Sequence, residues 1–211
     1  MGKELSERDK IGYFLEPPEE SRRTAGIPDT ISHRRSQSIL YLLRGEIKET
    51  GFGVNENTCE ASLRKKVVEH RLFATAMLIF AGIDLLAKFV YGDKRDKGKV
   101  GRRFKVFSRC YMGLSKDHAE RLWAVRNAMM HSFGLYTSEG FRVMFTNSLG
   151  LAVVETLEPQ VYLLSLSSLY DGFLDAVAKY EERVRSRKVL KRLFERMEGK
   201  YGFMSVEVRL K

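Results

Sequence analysis

Apolar residues recur along this chain at spacings that change from region to region, and each spacing predicts an element. From Leu72 to Val90 the run is apolar almost without a break. A polar lead-in from Ala61 and a stop at Gly92 frame it, so the pattern predicts a helix from about Ala61 to Tyr91 with glycine as its cap. A helix apolar on every side is ordinarily central and covered by neighbours. The rival reading is a membrane span. Asp84 and Lys88 oppose it, since each costs about 3 kcal/mol near a bilayer centre. Upstream, Ile39, Leu40, Leu42, Leu43 and Ile47 mark one face of a short helix within Ser36 to Glu49, ended by Gly51 and Gly53. Downstream, Phe104, Val106, Phe107 and Tyr111 predict an amphipathic helix from Arg102 to Met112, closed by Gly113. Ser115 then caps a helix from Lys116 to about Ser132, with Asp117 in its first turn and Gly134 past its end.

After Ser132 the period changes. Residues 134–157 carry β-branched and aromatic side chains between turn signals at Ser138-Glu139-Gly140 and Asn147-Ser148-Leu149-Gly150, which predicts a small β-hairpin or meander. Pro159 is expected to open a last long helix, from about Gln160 to Glu198, apolar in its first half and basic from Arg183 to Arg196. The fold class that follows is mainly α: an up-and-down helical bundle with a β insertion before the final helix. Pro17, Pro18 and Pro28 mark residues 1–58 as an irregular arm with a short helix. Residues 59–198 form the bundle, with its insertion at 134–157, and 199–211 a tail.

Charge narrows the partners. With 37 Lys and Arg against 27 Asp and Glu, the chain carries +10 at neutral pH, and a polyanion such as RNA is the first partner to consider. Cys59 and Cys110 are the two cysteines and form no CxxC pair. That argues against a disulfide framework and a cysteine zinc site, and fits a reducing cytoplasm. His33, His70, His118 and His131 show no metal-ligand spacing, so neither a metal nor another cofactor is expected. Gly92 to Val100 superficially resembles a phosphate loop, but the spacing is one residue too long and Val100 stands where Ser or Thr would bind magnesium. Lys99, Arg102 and Arg103 in and after that basic stretch remain candidate contacts to a nucleic-acid backbone.

Chemistry concentrates on the helix from Lys116. At about 100° per residue, Leu122, Val125, Met129 and Phe133 form an apolar stripe with Ala119, Met130 and Trp123 along its edge. Arg126 falls inside that stripe, and Asn127 and His131 stack four apart on one flank. A guanidinium facing a core keeps its proton and requires an anionic or polar partner. Asp84 is the acid within the apolar run of the long helix, so Asp84 is expected to face Arg126 across the bundle.

Arg126-Asn127-x-x-x-His131 resembles the R-x4-H signature of HEPN domains, in which a polar residue, often Asn, follows the Arg. Leu122-Trp123, His131-Ser132 and the upstream Ala76-Met77-Leu78 to Gly82-Ile83-Asp84-Leu85-Leu86 segment also look like that family. The resemblance implies a dimer whose two signatures line a cleft, where RNA is cut without metal by attack of a 2′-hydroxyl on the adjacent phosphate. Carried over, His131 is the general acid or base, because imidazole ordinarily exchanges its proton near neutral pH. Arg126 stabilises the pentavalent phosphate, and Asn127 holds the imidazole or binds phosphate. Arg126 and His131 lie about 140° apart on one helix, which suits a cleft shared by two chains better than a compact site in one. Members used as toxins beside a nucleotidyltransferase antitoxin carry Tyr two residues after the His; here that residue is Phe133, and the nearest tyrosine is Tyr136. Two other functions compete: a catalytically silent HEPN module that binds RNA, a nucleotide or a protein, and a basic helical protein outside the family that binds DNA.

Overall fold

The structure, a computed structural model, describes residues 7–15, 33–52, 71–93, 99–132, 136–146 and 152–208. In chain order these form α1 (Glu7–Leu15), β1 (His33–Ser38), α2 (Ile39–Ile47) with a π-helical turn to Phe52, and α3 (Leu72–Tyr91). Then come α4 (Val100–Cys110), α5 (Lys116–Ser132), β2 (Arg142–Thr146), β3 (Val154–Glu158) and β4 (Val161–Ser165). The chain ends in α6 (Leu166–Ser186), α7 (Lys188–Met197), a second π-helical turn and β5 (Phe203–Val208). The protein is mainly helical, with a three-stranded sheet inserted before the last helices, as the hydrophobic pattern predicts.

Helix α3 is the axis of the molecule. It packs against α2, α4, α6 and α7, and residues from Thr75 to Val90 are buried on more than one side. By length and composition it could cross a membrane, yet 61% of that window is covered inside this fold. Its apolar surface is therefore accounted for by neighbouring helices. The expected start near Ala61 lies outside the described residues. At its other end Gly92 adopts φ 77°, and its N–H donates to the Lys88 carbonyl at 2.7 Å. A β-carbon there would stand 2.7 Å from Nη2 of Arg196, so glycine serves both the backbone angle and the close approach of α7.

Four boundaries differ from expectation, each for a tertiary reason. First, the final helix does not begin at Gln160. Pro159 and Gln160 form a tight turn, with Gln160 at φ 66°, and Val161–Ser165 is a strand. A short apolar run reads equally as helix or strand from sequence, and pairing on both edges decides for strand. Second, the insertion is not a simple meander. Its order is β2-β4-β3, with β2 parallel to β4 and β3 antiparallel to it. The turn expected at 138–140 is present, closed by Gly140 N–H donating to the Thr137 carbonyl at 2.9 Å. The turn expected at 147–150 lies outside the described residues. Third, the long C-terminal helix is two helices, broken at Arg187, whose backbone is extended. No glycine or proline marks the break; it lets α7 turn back onto α3, where Phe194 meets Phe89. Ser165, whose Oγ accepts from the N–H of Ser168 at 3.3 Å, is the cap that starts α6.

Fourth, the described parts of the segments on either side of the bundle pack with it, while Pro17, Pro18 and Pro28, which mark the expected irregular arm, lie outside the described residues. Ser36 to Ser38, expected to begin a helix, belongs to β1, which pairs antiparallel with β5 from the C-terminal segment. The N-terminal helix joins the common core: Phe14 stacks on Phe89 at 4.5 Å between ring centroids and meets Phe194 edge-on at 5.5 Å. Ile11, Phe14 and Leu15 thus share a core with the bundle helices.

Candidate functional site

Helix α5 spans Lys116–Ser132, the predicted range, because Ser115 supplies its cap: the N–H of His118 donates to Ser115 Oγ at 3.1 Å. Its apolar stripe is buried as expected, with Leu122, Val125 and Met129 inaccessible to solvent. Phe133, the fourth member, lies outside the described residues. Arg126 sits in that stripe and is 8% exposed.

Asp84 of α3 is its counter-ion. Arg126 Nε donates to Asp84 Oδ2 at 3.1 Å, and Nη2 donates to the same oxygen in a shorter bond. The expected pairing across the bundle is thus present. Burial raises the Asp84 carboxyl above the usual carboxylate range, and Arg126, Lys88 and Arg103 pull against that rise. The third nitrogen of Arg126 faces the helix end. Nη1 donates to Asn127 Oδ1 at 3.3 Å and lies 3.2 Å from His131 Nε2. A guanidinium carries donors only, so Nε2 is the acceptor and the ring proton resides on Nδ1 in this arrangement.

That contact corrects one expectation. The helical wheel separates Arg126 and His131 by about 140°, but the long arginine arm closes the gap within a single chain. The two groups thus meet without a second chain. Of the two roles expected of Asn127, holding the imidazole is not seen among the described residues: its amide oxygen accepts from Arg126. His131 itself is exposed in the last turn, whereas Arg126 is buried and Asp84 is partly buried.

The three basic residues of α4 separate into two kinds. Lys99 and Arg102 are exposed at the start of the helix. Arg103 is buried, and its Nη1 donates to the Gly92 carbonyl at 3.2 Å. Sequence reading placed Arg103 with the surface contacts. Its position four residues before Phe107 and eight before Tyr111, on the buried stripe of α4, was the signal that it faces inward.

One neighbour of the site was legible only as an apolar edge. The Trp123 ring lies 5.2 Å from the Arg126 guanidinium carbon, within cation–π range. Phe104 of α4 backs the indole at 5.4 Å. Among the described residues no three His, Cys, Asp or Glu side chains converge as a metal site. Of the two cysteines, Cys110 is free and exposed and Cys59 lies outside the described residues.

Chemically, the cluster offers the imidazole of an exposed residue beside a cation whose other two nitrogens are held by Asp84. An anion there would meet both. No family model matches the chain, and no curated protein or solved structure matches it.

Proposed function

We propose that this chain is an endoribonuclease of the HEPN type, cutting RNA at the Arg126–Asn127–His131 cluster without needing a metal ion. The observation that carries the reading is the 3.2 Å approach of Arg126 Nη1 to His131 Nε2, with His131 exposed in the last turn of α5. General base catalysis and phosphate charge stabilisation require those two groups side by side. In the step itself the RNA 2′-hydroxyl attacks the adjacent phosphorus and the bond to the 5′-oxygen breaks. Nε2 of His131 takes the hydroxyl proton, and a second proton donor, His131 of another copy or water, protonates the leaving oxygen. The products are a 2′,3′-cyclic phosphate and a 5′-hydroxyl.

An incoming phosphate replaces Asn127 and His131 as partners of Nη1, while Asp84 keeps Nε and Nη2 oriented. The net charge of +10 favours RNA approach, with exposed Lys99 and Arg102 as candidate backbone contacts. Homodimerisation follows from the family resemblance alone, and sedimentation or light scattering tests it directly.

A second reading has its own observation. Every nitrogen of the guanidinium already has a partner within the chain, which is also what a purely structural arginine looks like. That favours a catalytically silent module. Incubating the purified chain with RNA in EDTA separates the two. Cleavage that persists in chelator and falls by about 100-fold or more in both Arg126→Ala and His131→Ala supports the nuclease. Cleavage indifferent to either change, or none by the wild-type chain, leaves the silent module.

A further inference from the structure

We infer that Trp123 is a positioning residue for Arg126, holding the guanidinium so that Nη1 meets His131 while Nε and Nη2 stay on Asp84. The inference deepens the nuclease reading and rests on it for its kinetic consequence; the clamp itself is a separate structural claim.

Three observations converge on the indole. It stands three residues before Arg126 on α5, which puts the two side chains one turn apart on the same side. Its ring centroid is 5.2 Å from the guanidinium carbon. It is also held from outside the helix, by Phe104 and by the backbone of Gly101: a β-carbon on Gly101 would stand 2.8 Å from Cε2 and Cζ2 of the ring. Gly101 is thus the residue that lets α4 approach the indole so closely.

The reason for such a clamp lies in how the ion pair is made. Nε and Nη2 both bond the same carboxylate oxygen, Oδ2. A single oxygen leaves the guanidinium plane free to swing about that contact, unlike a fork on two oxygens. An aromatic face on one side removes that freedom, and tryptophan is the strongest of the rings for it. Once the plane is fixed, Nη1 points along the helix to Asn127 and His131. Trp123 thereby acts through Arg126 and need not touch RNA.

The test uses the full chain and two readouts. Hydrogen exchange of the Arg126 Nε–H, followed by NMR, reads the clamp with or without any catalysis. In Trp123→Leu that exchange is expected to quicken roughly tenfold, and in Trp123→Phe to return most of the way. In parallel, kcat for RNA should fall roughly tenfold in Trp123→Leu with KM little changed, and recover in Trp123→Phe. Thermal melting confirms that each variant is folded. If Trp123→Leu does not fold, Gly101→Ala displaces the indole from the α4 side and should quicken the same exchange. Wild-type exchange rates in Trp123→Leu or Gly101→Ala would overturn the clamp, as would a Phe variant no better than Leu. A wild-type chain that fails to cut RNA sinks the nuclease reading and leaves the exchange result to decide the clamp.

Discussion

Asp84 and Phe89 stand five residues apart on the same helix and look out on opposite kinds of surroundings. Around Phe89, three rings from α1, α3 and α7 close on one another, with centroids 4.5 to 5.6 Å apart. Around Asp84, a carboxylate, a guanidinium and an imidazole are joined by hydrogen bonds, and an indole face lies against the guanidinium. The first region draws on burial, which is non-directional and roughly proportional to area. The second draws on contacts that exist only at the right angle and distance. One helix therefore carries a part that tolerates change of shape and a part that tolerates almost none.

The largest effect should come from emptying the aromatic junction. Phe194→Ala is expected to cost about 4 kcal/mol in urea unfolding, whereas Phe194→Leu costs about 1 kcal/mol, because a different apolar shape still fills most of the space. Asp84→Ala comes next, at about 3 kcal/mol, since it strands the Arg126 charge. The informative partner is the double variant Asp84→Leu with Arg126→Met, which should recover most of that loss while abolishing any cleavage. Equal losses in the single and double variants would mean that the region depends on packing, like its neighbour.

A smaller effect, with the opposite sign, is expected at Tyr180. Its hydroxyl is buried on α6 and, among the described residues, has no hydrogen-bond partner, and burial pushes the phenol well up. Tyr180→Phe should gain about 1 kcal/mol in the same unfolding assay, because it removes an unmet polar group. A loss there would show that the hydroxyl is satisfied after all. Least of all is expected from the Lys105–Glu120 pair between α4 and α5, 2.8 Å apart and solvent-screened. Lys105→Ala should change unfolding by less than about 0.5 kcal/mol, and the change should shrink further in high salt.

The candidate site was legible to an unusual depth because its key residue breaks a pattern. Arg126 on an apolar stripe demands an acid, and Asp84 was the acid in the facing run, so two residues 42 apart could be paired from sequence. What sequence could not supply was the reach of the arm. Helical angles describe where side chains leave the backbone, not where a long one ends, so they do not give the contact of Arg126 with His131 inside one chain. Arg103 was misplaced for the complementary reason: a charge on a basic stretch reads as surface until the stripe beneath it is followed.

Sequence by itself determined the long apolar helix and its Gly92 cap, the limits of α5, the mainly helical class and the Arg126–Asp84 pairing. Each depends on residues close in the chain, or on a single buried charge with one candidate partner. Tertiary structure alone decided that Val161–Ser165 is a strand, that β2 runs parallel to β4, that His33–Ser38 pairs with Phe203–Val208, and that α1 joins the core. Those outcomes turn on which segment finds an edge or a face to cover. A short run of apolar or polar residues does not encode that, because the pairing free energy belongs to both partners and to neither alone.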